Sequence, residues 1–81
     1  MKEHESRRAK PGEVIKWLND KSREVDAFET VYLDSNNFLH RIDGPSWMYI
    51  SLREYWIHGK RYKNKRDWGL EVNRIKTLKE I

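Results

Sequence analysis

Between Phe28 and Lys63 the chain is cut into short pieces by turn-forming residues, and this punctuation limits the fold more than any other feature of the sequence. Asp34-Ser35-Asn36-Asn37, Asp43-Gly44-Pro45 and His58-Gly59 are built from residue types that bend or reverse a backbone. A further tight turn is expected near Ser51–Glu54. The intervening pieces Phe28–Leu33, Phe38–Ile42, Trp47–Leu52 and Tyr55–Ile57 are rich in β-branched and aromatic residues, which fit a pleated surface. Alternation places Trp47 and Tyr49 on one face and Met48, Ile50 and Leu52 on the other, and Lys60–Lys63 is expected to pair back briefly. No connection is long enough for a parallel crossover, so an antiparallel meander of three to four strands is predicted.

The flanks read as helices. Pro11 suits a first helical turn, Glu13 adds an acid near its start, and Val14, Leu18 and Val25 share a face flanked by Ile15 and Trp17. A helix over about 11–24 is expected, preceded by a flexible tail over 1–10. At the other end, Asn64 can cap a helix with Asp67 three residues on. Trp68, Val72 and Ile75 form its apolar face, with Leu78 at the edge. Gly69 costs a helix interior about 1 kcal/mol relative to alanine, which predicts either close backbone packing there or a helix that starts after it. The expected fold class is α+β, a small antiparallel sheet with a helix at each end of residues 11–81.

Composition narrows the function classes. The chain has 81 residues, enough for one core; a domain of that size buries only about 60–65% of the surface its unfolded chain exposes. It has no cysteine, which removes disulfides, thiolate zinc sites and cysteine nucleophiles. No long apolar run suggests a membrane span or a secretory leader, so a soluble cytoplasmic protein is expected. Lys and Arg number 17 against 13 acids, a net charge of +4. The local excess lies in Lys60, Arg61, Lys63, Lys65 and Arg66, interrupted by Tyr62 and Asn64 but by no acid. Such a stretch attracts phosphate or an acidic protein surface.

Two segments carry a resemblance. Asn37-Phe38-Leu39-His40-Arg41-Ile42-Asp43-Gly44-Pro45, followed by Glu54-Tyr55-Trp56-Ile57-His58-Gly59-Lys60-Arg61-Tyr62, resembles the short hairpin repeats of tailed-phage and giant-virus proteins. Their pattern runs roughly "G-x-L-H-R-x-D-G-P-A" and then "Y-W-x-N-G-K-x-H-R". About one and a half copies are present, over about a third of the chain. His58 stands where the pattern prefers Asn, and Tyr62-Lys63 replaces the second "HR". The resemblance implies a β-hairpin scaffold of phage origin, located in the host cytoplasm, and brings no catalytic motif.

The motif residues make sense physically without it. Asp43, Gly44 and Pro45 end one strand and start the next, with Gly44 expected at positive φ. Tyr55 and Trp56 set register through cross-strand contacts, and Gly59 fits a hairpin turn. Arg41 holds the Asp43 turn or nearby carbonyls, or else faces a ligand phosphate. Of the three histidines, His4 falls in the tail, and His40 and His58 have acids such as Asp43 or Glu54 nearby only at unrecognised spacing, so no metal or cofactor is expected. His40 with Asp43 is the one candidate acid–base pair for a small hydrolase. With no phosphate loop and no known catalytic motif, the expectation is a non-enzymatic binding module that modulates a host or phage protein. The expected contact residues are Lys60, Arg61, Tyr62, Lys63, Lys65 and Arg66. Trp17, Trp47, Tyr49, Trp56, Tyr62 and Trp68 exceed what so small a core can hide, which fits an interface. Nucleic-acid binding through the same basic stretch, with aromatic stacking, is the alternative.

Overall fold

A computed structural model describes residues 4–17 and 21–79. Its elements are β1 (Arg7–Arg8), β2 (Val14–Lys16), β3 (Ser22–Glu24), β4 (Thr30–Leu33), β5 (Trp47–Tyr49), β6 (Leu52–Ile57), β7 (Lys60–Tyr62) and α1 (Lys65–Lys79). A five-stranded antiparallel sheet runs in the order β1-β4-β5-β6-β7, and β2 and β3 form a separate two-stranded sheet. The α+β class holds. The described residues contain seven strands rather than three or four, and one helix rather than two.

The expected helix over 11–24 is instead the β2–β3 hairpin, with Ile15 opposite Arg23. Pro11 suits the start of a helix, but Pro11-Gly12 also has the chemistry of a type II turn. Gly12 lies at φ 89°, and the Glu13 N–H donates to the Lys10 carbonyl at 3.0 Å across the turn. Beyond it, the β-branched pair Val14-Ile15 enters a strand. Leu18, the middle of the supposed helical stripe, lies outside the described residues. The supposed tail is also structured from His4 onward: Arg7 and Arg8 pair with Leu33 and Tyr32 of β4, and Ala9 is buried.

Phe38–Ile42, expected as a strand, makes only isolated bridges at Phe38 and Leu39. Its backbone crosses from β4 to β6 instead. The His40 N–H donates to the Tyr32 carbonyl at 3.0 Å, the Arg41 N–H to Trp56 at 3.1 Å, and Leu39 accepts from Gly59 at 2.7 Å. The tight turn falls at Ile50-Ser51, earlier than expected, because Tyr49 pairs with Leu52. That shift puts Leu52 on the Trp47–Tyr49 face, not on the Met48 face. The His58-Gly59 turn is where the sequence places it, with φ of 47° and 83°, the double left-handed geometry of a type I′ hairpin.

The sheet buries a different cluster on each face. Val31 and Leu33 meet Ala9, Ile15, Val25 and Leu39, with Trp17, Trp47 and Trp56 packed around them. On the other face, Ile57 meets Trp68, Val72 and Ile75 of α1, with Ile42, Tyr55 and Tyr62 alongside. The helix therefore docks by the stripe its sequence predicts, and Leu78 is left largely exposed. Asn64 caps it, its side-chain oxygen accepting the Asp67 N–H at 2.9 Å. Gly69 meets neither sequence expectation: the helix begins before it, and a Cβ there would touch nothing within 4 Å. Gly69→Ala is accordingly expected to stabilise the protein by about 1 kcal/mol, measured as a shift in urea midpoint at constant slope.

Candidate functional site

The sequence-selected cations are spread along β7 and the start of α1. Lys60, Arg61, Lys63, Lys65 and Arg66 are all exposed. Arg61 approaches Glu54 at 3.5 Å and the Lys60 ammonium lies 5.3 Å from the Tyr62 ring centre. Tyr62 is half-buried against the helix, so it supports the sheet as well as facing outward.

The motif residues build the centre of the fold. Arg41 does not pair with Asp43. Its guanidinium stacks 3.9 Å from the Tyr32 ring centre and donates to the Pro45 carbonyl at 3.3 Å, holding the turn by a carbonyl. Gly44 is not at positive φ, contrary to expectation. A Cβ there would sit 3.3 Å from the Arg41 guanidinium, so close approach of that side chain is what favours glycine. Ser46, fully buried, accepts the Trp56 N–H at 3.0 Å and donates to the Trp56 carbonyl at 2.7 Å, pinning Trp56 in register.

One end of the sheet is apolar and exposed. Phe28 precedes β4, Ile50 follows β5 and Leu52 opens β6, so antiparallel pairing brings all three to the same end. They are 83%, 84% and 57% exposed. Tyr49, stacked on Trp47 with ring centres 6.2 Å apart, forms with Phe28, Arg23 and Asp26 a shallow surface depression. Beneath it lies Glu29, whose carboxylate accepts from both Arg23 guanidinium nitrogens, from Trp47 Nε1 and from the Asp26 N–H. Those donors, Arg23 foremost, outweigh burial and lower its pKa from 4.5 to about 2. Ile50 itself has φ 54°, a left-handed backbone that a β-branched residue adopts only under strain.

The opposite end gathers the histidines. Asp34 is buried; its Oδ1 accepts the N–H groups of Asn36 and Phe38 at 2.8 and 3.0 Å, and its Oδ2 lies 2.7 Å from His58 Nδ1. Burial opposes its charge, but His58 and the two N–H groups prevail and hold its pKa below the usual value. His40 is completely buried, with its ring stacked 3.8 Å from that of His58. The His58 N–H donates to His40 Nδ1 at 3.0 Å, which fixes the proton on Nε2, 2.9 Å from the His4 carbonyl. Burial pushes the His40 pKa down. His4 Nδ1 stands 3.2 Å from His58 Nε2.

Both ring nitrogens of His40 are thus engaged by His4 and His58 rather than by Asp43, and neither Asp43 nor Glu54 joins the histidines. The acid that does is Asp34, read in the sequence only as a turn residue, and His4 arrives from the segment read as a tail. The Asp-x-Asn spacing of an Asx turn was visible in Asp34 and Asn36; the arrival of His4 was not, because it depends on β1 pairing with β4. No family model matches this sequence, and neither curated proteins nor solved structures give a match. No helix among the described residues is long and apolar enough to cross a membrane.

Proposed function

We propose that this chain is a small non-catalytic binding protein, of phage origin, that docks on a host or phage protein and modulates it. The supporting observation is Ile50. A β-branched residue at positive φ costs about 1–3 kcal/mol, and here its side chain makes up for none of that by burial. Strain retained for an exposed apolar side chain fits a contact residue, and Phe28, Tyr49 and Leu52 complete a patch around it. Arg53 leaves the Ile50 turn on β6, and Lys63 continues from β7 toward the same end of the sheet, so cations flank the patch. The partner surface of matching chemistry has an apolar centre and an acidic rim. Lys60 and Arg61 lie farther along β7, toward the His58-Gly59 turn, and with Lys65 and Arg66 at the start of α1 they steer association at longer range.

The test pairs two measurements on Ile50→Asn. Asparagine tolerates positive φ, so the variant is expected to gain about 1 kcal/mol of stability while partner binding weakens at least tenfold. Lys60→Glu with Arg61→Glu is expected to weaken binding similarly at nearly constant melting temperature, since exposed charges add little to folding. Binding unchanged by Ile50→Asn overturns the patch. Tight binding to short DNA or RNA that collapses steeply with salt, and is lost only in the charge-reversed variant, assigns the surface to nucleic acid instead.

A further inference from the structure

We infer that His4 and His58 form a binding site for a divalent transition-metal ion, with Asp34 as its supporting carboxylate and His40 as its platform. The arrangement departs from a chance meeting of histidines in three respects. The two facing nitrogens, His4 Nδ1 and His58 Nε2, are 3.2 Å apart. Two nitrogens bound to one tetrahedral zinc at about 2.0–2.1 Å span about 3.3 Å, so their separation matches that of two ligands of one ion, which would replace the hydrogen bond between them. Next, His58 presents Nε2 to that position because its Nδ1 is committed to Asp34 at 2.7 Å. A ligating histidine whose other nitrogen is held by a carboxylate has its tautomer fixed and its basicity raised. Asp34 is itself held by the N–H groups of Asn36 and Phe38. Finally, the His58 ring is stacked 3.8 Å from the fully buried His40 ring, and the His58 backbone N–H is bonded to His40 Nδ1, so His40 supports both its ring and its backbone.

His40 lies within 4.8 Å of the other two histidines in ligand-atom separation, but its hydrogen bonds exclude it from direct ligation. With Nδ1 accepting a backbone N–H, its proton sits on Nε2 and no lone pair there faces an ion. The protein therefore offers two nitrogens, and water fills the remaining positions. His4 and His58 are half-buried, which leaves that side open to solvent. Imidazole pairs select zinc, nickel or copper(II) over the hard cations magnesium and calcium. Because the two ligands are separated by 54 positions in sequence, an ion bridging them would tie the segment leading into β1 to the β6–β7 turn.

The experiment is calorimetric titration of the full chain with zinc chloride near pH 7.5, with magnesium chloride as control, alongside thermal melts. One zinc per chain is expected, with micromolar affinity, no response to magnesium, and a melting temperature that rises with zinc. His4→Ala removes the ligand nitrogen but keeps the backbone carbonyl that His40 uses, so the fold is retained; zinc affinity should fall at least tenfold and the zinc-dependent rise in melting temperature should vanish. His58→Asn, which suits the positive φ of that turn, should do the same. Zinc binding by His4→Ala as tight as by the parent overturns the assignment, as does a parent protein that fails to bind zinc at millimolar concentration.

Discussion

Glu29→Gln is expected to cost about 2–3 kcal/mol at neutral pH and to flatten the acid limb of the stability profile. The carboxylate is almost wholly buried and serves four donors from three places: Arg23 on β3, Trp47 on β5 and the Asp26 N–H of the connection. It is the polar joint between the two-stranded sheet and the five-stranded one. Glutamine keeps the size but offers a single acceptor oxygen, so it leaves donors unmet and Arg23 without its counter-charge. In the folded protein the Glu29 pKa is lowered to about 2, below its ordinary 4.5. The stability it contributes is complete above about pH 4.5 and is lost as pH falls toward 2. A shift of that size corresponds to at most about 3 kcal/mol, discounted because Arg23 is partly open to screening solvent. Urea midpoints at pH 7, 5 and 3 should decline more steeply in the parent than in Glu29→Gln. Parallel declines would show that Glu29 does not govern the acid limb.

Trp68→Ala is expected to be the most damaging single change, at about 3–5 kcal/mol. Trp68 is 8% exposed, lies tilted against Tyr55 with ring centres 5.0 Å apart, and donates from Nε1 to the Arg41 carbonyl at 2.9 Å. It therefore fastens α1 both to β6 and to the segment that crosses from β4. Chains of this length have about 5–10 kcal/mol of stability in total, so the variant should be at least partly unfolded at 37 °C. Trp68→Phe separates the two contributions: it keeps much of the packing, loses the hydrogen bond and should cost about 1–2 kcal/mol. Both are read from equilibrium urea unfolding followed by far-ultraviolet circular dichroism. A Trp68→Ala protein as stable as the parent would show that the helix does not depend on this side chain.

What the sequence reveals here is local chemistry, and what it hides depends on distant partners. His58-Gly59 declares its turn because both residue types tolerate the geometry, and Asn64 declares the helix start because its side chain supplies the missing acceptor. Trp68, Val72 and Ile75 repeat at helical spacing and are buried. Around Val14 the same periodicity misleads, because Ile15 and Val25 face a core assembled from other strands while Val14 stays exposed, and Pro11-Gly12 serves a turn as readily as a helix start. Ile50 hides its turn for the opposite reason: no propensity rule places isoleucine at positive φ. The histidine cluster is the extreme case. Its members come from β1's approach, the crossing segment and the β6–β7 turn, so no spacing in the sequence announces it.

The short first strand has a consequence for how the molecule behaves in a crowded solution. Arg7 and Arg8 cover the outer rim of β4, and the Ala9 N–H donates to the Val31 carbonyl at 2.8 Å. Without them, β4 would turn open hydrogen-bonding groups outward beside Val31 and Leu33, a template on which a second chain could add. Two adjacent arginines make the cover itself a poor template, since an incoming copy would bring like charge to like charge. Arg7 is further moored through Glu13 at 2.7 Å and Asn37 at 3.0 Å. Whatever detaches residues 4–9 from the sheet thus does more than loosen an end: it converts a self-limiting sheet into one that can grow.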